Sequence, residues 1–394
     1  MAAFPEQQLQ SIRADFPLLS KWTYLNTGTV GLMPQPVLDA HLKNIADYEV
    51  GGHVAQARAV DGYETARDRI ARLLGVPASE ITFNRNATDG INLVAAQFPL
   101  SPGDEVITST EEHPAMVVPW LAACHRSGAT LKFISATPDR DEFAANVRET
   151  FNRSTRIIAI SHVSCETGTR MPVEMIRDIV GGGASILIDA SQSIGQFAVS
   201  VPQLRADFVI GNGHKWLGGP KGTGFAWISP QAMHLAPPVH FAGETIDPSW
   251  SRVQYQHGGP VEIGIAQSHQ RYEFGTRAWH LYGALGDAID YLERLGWNAI
   301  EAHSAYMAEH LKRALTEVPG VTLHSPESWD DASGLVTFSM SGWSGEDLSS
   351  RLWNEYQIVQ RRVEQPSAVR VSCAFFTTTA DIDALLGALN SVRQ

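Results

Sequence analysis

Residues Gly211 to Gly224 read GNGHKWLGGPKGTG, and one lysine, Lys215, stands in them between the apolar Val209-Ile210 and a glycine-rich turn. A lysine at a strand's end, hemmed by His214, Trp216 and glycines, is poorly placed for a solvated surface charge. It is well placed for an amine, because partial desolvation lowers an ammonium pKa and frees the lone pair that imine chemistry with an aldehyde requires. The plainer alternative is a surface lysine beside a turn, and this stretch alone does not choose between them.

The surroundings do. Short apolar runs at Glu105 to Ser109, Leu131 to Ser135, Ile157 to Ser161, Ile186 to Ile188, Phe208 to Ile210 and Gly224 to Ile228 alternate with helical stretches. Such alternation predicts an α/β fold, a mainly parallel sheet wrapped by helices, with the ligand at the carboxyl ends of the strands. His113 follows the first run, Ser161-His162 the third, Asp189 the fourth and Lys215 the fifth. Unrelated polar residues would have no reason to share that placement.

Upstream, Trp22 to Asn26 reads as a short strand, and Thr27-Gly28-Thr29-Val30-Gly31 as a loop whose small residues let backbone approach a ligand. Thr27 is the candidate rim residue. A helix from Gly62 to Leu74 ends at Gly75 and Pro77, and Ile81-Thr82-Phe83 is a brief strand. Asn84 to Asn92 then opens another helix, where the backbone N–H groups near Ala87 and the Thr88 hydroxyl make a seat for a phosphate. An ordinary Asn/Thr cap reads the same way.

Beyond Gly283 long amphipathic helices, a strand at Leu335 to Met340, a capping box at Ser344 to Asp347 and a strand at Val369 to Ala374 predict a smaller α+β domain. Ala242 to Trp279, rich in Gly, His, Tyr and Trp, reads as loops at an active site or subunit contact. The expected division is an N-terminal arm, 1–25, packing with the small domain, a large domain over 26–282 and a small one over 283–394.

Length and composition bound the function. With 394 residues, 44% of them hydrophobic, the chain can bury a large core. A formal charge of -12 without a Lys/Arg block argues against nucleic acid or an anionic membrane as partner. The polar start, MAAFPEQQLQSIRADF, lacks the apolar core of a signal peptide and no run reaches membrane-spanning length, so a cytoplasmic location is expected. Cys124, Cys165 and Cys373 have neither disulfide nor metal-ligand spacing, and no metal is expected.

Asp189 ends the run Ser185-Ile186-Leu187-Ile188, where a carboxylate is costly without a cationic partner. A protonated pyridine nitrogen is such a partner. Phosphate seat at Thr88, acid at Asp189 and amine at Lys215 match the three handles of pyridoxal 5'-phosphate. On these motifs the chain resembles the fold type I pyridoxal phosphate enzymes of the class V aminotransferase group, which includes cysteine desulfurases, cystine lyases, isopenicillin N epimerase and kynureninase-like enzymes. The likeness runs from about Tyr24 to the C-terminus. It implies a large domain with a mostly parallel seven-stranded sheet and a homodimer with shared active sites.

By motif, the resemblance implies that His113 in Glu112-His113-Pro114 stacks on the cofactor ring and that Gln192 in Asp189-Ala190-Ser191-Gln192 meets the ring hydroxyl. Ala87, Thr88, Asn212 and His214 would serve the phosphate, with Asn212 standing where many relatives carry Ser. Thr276, in Phe274-Gly275-Thr276, matches a threonine that reaches the neighbouring subunit's phosphate. Arg370, in Val369-Arg370-Val371-Ser372, matches the arginine that grips the substrate α-carboxylate. Arg361, before it, resembles a second arginine that in cystine lyases engages the distal end of the substrate; adjacent strand residues point opposite ways, so Arg362 is the alternative. Thr27 and Ser164 complete the expected substrate rim.

Cysteine desulfurases carry a mobile-loop cysteine shortly before the carboxylate arginine, and Val363 to Val369 contains none. The loop Ser161 to Gly168, with Cys165, Glu166 and Thr167-Gly168, is nearer the cystine lyase and isopenicillin N epimerase branch. The expected reaction is therefore carbon–sulfur β-elimination from a cystine, cysteine-conjugate or cysteine-sulfoxide substrate, with Lys215 as base and pyruvate and ammonia as end products. Trp216, Trp279, His280 and Tyr255 to His257 are candidates to shape a larger pocket. An epimerase or aminotransferase shares the same first proton loss and is the alternative. A desulfurase, or a non-catalytic binder of the cofactor, fits less well, since mere binding needs no carboxylate clamp.

Overall fold

The computed structural model describes residues 4–247 and 263–392; Tyr255 to His257 lie outside them. Among the described residues thirteen strands follow in chain order: β1 (Thr23–Tyr24), β2 (Ile81–Asn84), β3 (Glu105–Ser109), β4 (Thr130–Ile134), β5 (Thr155–Ser161), β6 (Ser185–Asp189), β7 (Phe208–Asn212), β8 (Gly224–Ile228), β9 (Val321–Leu323), β10 (Leu335–Met340), β11 (Ile358–Val359), β12 (Arg361–Val363) and β13 (Ala368–Ser372).

Seven of them form one sheet in the order β2-β8-β7-β6-β5-β3-β4, the seven-stranded sheet expected from the resemblance. β4, β3, β5, β6 and β7 run parallel, and only β8 runs against its two neighbours. Alternate side chains on the central strands enter opposite cores. Ile158, Ile160, Ile186, Ile188 and Val209 join one cluster with Tyr63, Ile70 and Leu285. Ile157, Ala159, Leu187, Phe208 and Ile210 join another with Ile91, Val94 and Trp120. That period-2 division is why these strands read as continuous apolar runs: both faces are covered by helices.

A second sheet, antiparallel in the order β12-β13-β10-β9, packs helices from the C-terminal third around Leu311, Phe338, Leu352, Val371 and Leu385. The helix Trp279–Leu295 spans the expected domain boundary, and its buried face, with Tyr282, Leu285 and Ile289, joins the core of Tyr63 and Ile70.

The N-terminal segment reaches toward the C-terminal part. Arg13 pairs with Asp381 at 2.7 Å, Phe16 packs against Phe375 and Phe376, and β1 pairs in parallel with β11. Leu25 enters the core of the second sheet. The chain thereby lays residues 26–31 between the two sheets. Among the described residues no helix is long and apolar enough to cross a membrane.

Candidate active site

Lys215 lies just past β7, on a turn whose shape is set by glycine. Gly218 has φ +65° and donates to the Lys215 carbonyl at 3.1 Å, while Gly219 donates to the Gly213 carbonyl at 2.8 Å. The N-terminal loop crosses this turn at Gly31, whose N–H donates to the His214 carbonyl at 2.8 Å. A Cβ on Gly31 would lie 1.9 Å from the Lys215 carbonyl oxygen, so only glycine permits the crossing. Lys221 donates to the Gly31 carbonyl at 3.1 Å and fastens the loop from the other side.

The Lys215 side chain is half-buried, and among the described residues its amine makes no hydrogen bond. Burial pushes its pKa below the usual lysine value; Asp189 opposes that shift, while Arg370 and Arg361 add to it. The amine faces a cavity of about 450 Å³ that is also lined by Asp189, His113, Gln192 and Arg361. Asp189 ends β6, opposite Ser161 on β5 and Ile210 on β7, and its Oδ1 accepts from the Ser191 N–H at 2.8 Å. Carboxylate and amine thus meet at the carboxyl end of the sheet, where the strand pattern put them.

One end of the cavity is the start of the helix Ala87–Ala95. Asn86 caps it by accepting from the Asp89 N–H at 3.0 Å. Ala87, Thr88, Asn212 and His214 line this end. Asn212 is tied on both sides, its Oδ1 accepting from the Ala87 N–H at 2.7 Å and its Nδ2 donating to Ser191 Oγ at 3.1 Å. His214 Nδ1 is buried without a partner. Burial, followed by the charge on Lys215, lowers the His214 pKa.

His113 caps the helix Pro114–Ser127, and its Nδ1 accepts from the Ala115 N–H at 3.0 Å. That bond places the neutral ring's proton on Nε2. Burial, then Lys215 and Arg361, lowers its pKa and keeps the ring neutral. Gln192 is held between two groups: its Nε2 donates to the Gly28 carbonyl and its Oε1 accepts from the Trp216 indole, each at 2.9 Å. One amide N–H of Gln192 is left for a ligand.

The remaining sequence candidates divide. Arg361 lines the cavity and pairs with Glu166 at 3.4 Å, whereas Arg362 points away to Glu346 at 2.7 Å. The alternation of side chains along β12 separates the two. Arg370 lies directly behind, fully buried, donating to the Cys165 carbonyl and, at 2.9 Å, to the Thr29 hydroxyl; among the described residues its Nε has no partner. Burial pushes the Arg370 pKa down to about 10, helped by Arg361.

Thr27 is buried with its hydroxyl unpartnered, and it is Gly28 and Thr29 that line the cavity. Ser164 is likewise buried, its hydroxyl engaged within its own loop and with Glu111. Thr276 is exposed on a turn outside the cavity of its own chain. Trp216 serves the site through Gln192, and His280 stacks on His41 instead. Trp279 packs edge-on to Tyr48.

Ser161, expected at the site from its strand end, and others not singled out in the sequence also shape the site. Ser161 and Ser191 line the cavity. Beneath them the buried Glu112 accepts from Ser109 Oγ at 2.7 Å, from the Ser161 N–H at 2.8 Å and from the Ser161 hydroxyl. Burial raises its pKa to about 7. The adjacent acids of Glu111-Glu112-His113 were the available signal, since a carboxylate pair beside a helix cap must find donors somewhere.

These residues fit the cofactor expected from the sequence. A helix start with a cap and a His214 whose Nδ1 has no partner among the described residues suits a phosphate, Asp189 an aromatic nitrogen that carries a proton, and Lys215 an aldehyde.

Comparison with known proteins agrees. The family model described as Aminotransferase class-V matches residues 23–385. A probable cysteine desulfurase of Streptomyces coelicolor is 30% identical, with 98% of this chain and 97% of that protein covered. A solved lysine-to-alanine mutant of C-DES, with glycine covalently linked to its PLP cofactor, superposes with a TM-score of 0.87 at 25% identity, covering 96% of this chain and 98% of that one. The complex of the cystine C-S lyase C-DES with its reaction product cysteine persulfide gives 0.86 at 26% identity, covering 95% and 98%.

Proposed function

Because the chain belongs to the class V aminotransferase family, whose model covers residues 23–385, we propose that it is a pyridoxal phosphate enzyme that breaks a carbon–sulfur bond of a sulfur-containing amino acid by β-elimination. When bound, the cofactor supplies an aldehyde for the amine and a ring that draws electrons from the α-carbon. The observation that carries this reading is one cavity shared by Lys215, Asp189 and Arg361, with Arg370 behind them.

Each residue has a part. Asp189 would hold a proton on the aromatic nitrogen, and a neutral His113 would pack on the ring face. The lowered pKa of Lys215 suits it to hold the aldehyde and to act as the base that takes the α-proton. Arg370 binds the α-carboxylate and Arg361 a second carboxylate, such as the distal one of cystine. The Cβ–S bond breaks, the leaving sulfur takes up a proton, and hydrolysis of the three-carbon product gives pyruvate and ammonia.

The named relatives include both desulfurases and a cystine lyase. Two features of this chain favour release of free product over a protein-bound persulfide. The hairpin joining β12 to β13 contains no cysteine. The one cysteine lining the cavity, Cys165, has its thiol pushed up to about 12 by burial and by Glu166, so little thiolate forms near neutral pH. Thr276, exposed outside its own cavity, is then the residue offered to a second copy in a homodimer.

The test uses the cofactor-loaded protein with L-cystine and no keto acceptor. Pyruvate and thiol or persulfide release together support elimination; solvent deuterium at the α-carbon without pyruvate points instead to epimerisation. Borohydride reduction should leave the cofactor fixed to the peptide containing Lys215, and Lys215→Ala should show neither the adduct nor turnover. A labelled protein without that adduct would sink the reading.

A further inference from the structure

The loop that follows β5 is held by one carboxylate. Ser164 Oγ accepts the N–H groups of Glu166 and Thr167, each at 3.1 Å, and donates its own hydrogen to Glu111 Oε2 at 2.5 Å. The Thr167 hydroxyl, 2.7 Å from that of Thr169, reaches the same Glu111 oxygen at 2.6 Å. Glu111 therefore fixes two hydroxyl rotors at once. With its hydrogen committed to Glu111, Ser164 keeps its lone pairs for the two backbone N–H groups.

Between these anchors lie the two residues that hold the arginines. The Cys165 carbonyl accepts from Arg370, and the Glu166 carboxylate pairs with Arg361 at 3.4 Å. On its far side the loop meets the second sheet: Thr337 donates to the Glu166 carbonyl and Ser325 to the Thr167 carbonyl, each at 2.5 Å. Gly168, at φ +76°, lies so close to β10 that a Cβ would be 2.5 Å from the Leu335 carbonyl oxygen. Glu111 stands on the turn that also presents His113, so one short segment lines the cavity with an imidazole and grips the 164–167 loop with a carboxylate.

We propose that Glu111 is a positioning residue for the substrate: by fixing the 164–167 turn, it holds Arg361 and Arg370 in the arrangement that a substrate carboxylate needs. This rests on reading those arginines as the carboxylate ligands. Two long guanidinium side chains are costly to order at the moment of binding, and a loop that orders them beforehand shows up as affinity. Glu111 touches neither substrate nor cofactor, so its removal weakens substrate binding without weakening cofactor uptake.

The probe is glycine, which carries an α-carboxylate and no leaving group, titrated into the cofactor-loaded protein while the cofactor absorbance is followed. Glu111→Ala should raise the dissociation constant for glycine about tenfold. Its affinity for pyridoxal phosphate should stay near that of the wild type, while the loss of an acceptor for two buried hydroxyls lowers its melting temperature. Glu111→Gln, which keeps an oxygen for both hydroxyls, should restore most of the glycine affinity. If Glu111→Ala does not fold, the double variant Ser164→Ala with Thr167→Val removes those bonds from the other side, together with the two that Ser164 Oγ accepts, and should weaken glycine binding at least as much. Wild-type glycine affinity in Glu111→Ala, or a loss matched by an equal loss of cofactor affinity, overturns the proposal. If Arg370→Lys binds glycine as well as the wild type does, the carboxylate assignment fails first and takes the proposal with it.

Discussion

Arg361 and Arg370 are direct partners across the antiparallel β12–β13 ladder, so two guanidinium groups leave the same face of the sheet side by side. Like charges directly opposite each other are unfavourable, and among the described residues only Arg361 of the two has a carboxylate partner, Glu166 at 3.4 Å. A fold keeps such a pair where an anion is expected between the groups. Arg361→Gln should therefore lower kcat/KM for cystine by about ten- to a hundredfold while changing S-methylcysteine by no more than about threefold. Arg370→Gln should impair both substrates; equal losses in Arg361→Gln would refute the division of labour.

Glu112 makes stability depend on pH. Its folded pKa, about 7, lies above the ordinary 4.5 because burial disfavours the charged form. The folded chain binds the extra proton between these values, so the contribution is full below about pH 4.5 and is lost as pH rises through about 7, on the order of 3 kcal/mol in all. Glu112→Gln, neutral throughout, should gain melting temperature relative to the wild type as pH is raised from about 5 to about 8. Parallel curves for the two proteins would show that the carboxyl is ionised across the range.

Gly31 and Gly62 should respond in opposite ways to alanine. At Gly31 the new methyl meets the Lys215 carbonyl oxygen at 1.9 Å, and overpacking of this kind costs about 1–3 kcal/mol. Gly31→Ala should lose cofactor occupancy, read by absorbance. Gly62 sits within the helix His53–Leu74 with its nearest neighbour at 3.8 Å from the added carbon, so Gly62→Ala should stabilise by about 0.5–1 kcal/mol. Thermal melts of the two variants check both signs.

Cys165 lines the cavity, but its part in holding Arg370 is played by its backbone carbonyl. Cys165→Ala should keep pyruvate release within about threefold of the wild type, because a thiol with so little thiolate adds little as a nucleophile. Loss of turnover, with a persulfide found on Cys165 in the wild type, would favour the desulfurase chemistry of the named relatives instead.

Much of the architecture was legible because it depends on period and on strand ends. Ile157 to Ser161 and Ser185 to Asp189 are apolar runs that stop on a polar residue, and the parallel sheet places those ends together. What a loop residue faces is not periodic. Thr27 and Thr29 look equivalent in the sequence, yet the first is buried without a partner and the second holds Arg370. Arg361 and Arg362 were separable only once the ladder with β13 was known. Ser164 resembled a ligand contact because nothing nearby in the sequence showed that its hydroxyl is taken by Glu111, many residues earlier.

The threading of residues 23–31 has a consequence for how the enzyme comes into being. Thr23 pairs with Ile358, the Gly28 N–H with Ser372 Oγ and Thr29 with Arg370, all partners that the ribosome supplies long after this segment. Until they emerge, the strap over Lys215 is tied to the side of the seven-stranded sheet, through Gly28 to Gln192 and through Gly31 to His214 and Lys221, but not to the second sheet. A chain truncated before β13 should therefore hold the vitamin more weakly than the intact chain, because one set of the strap's ties is missing.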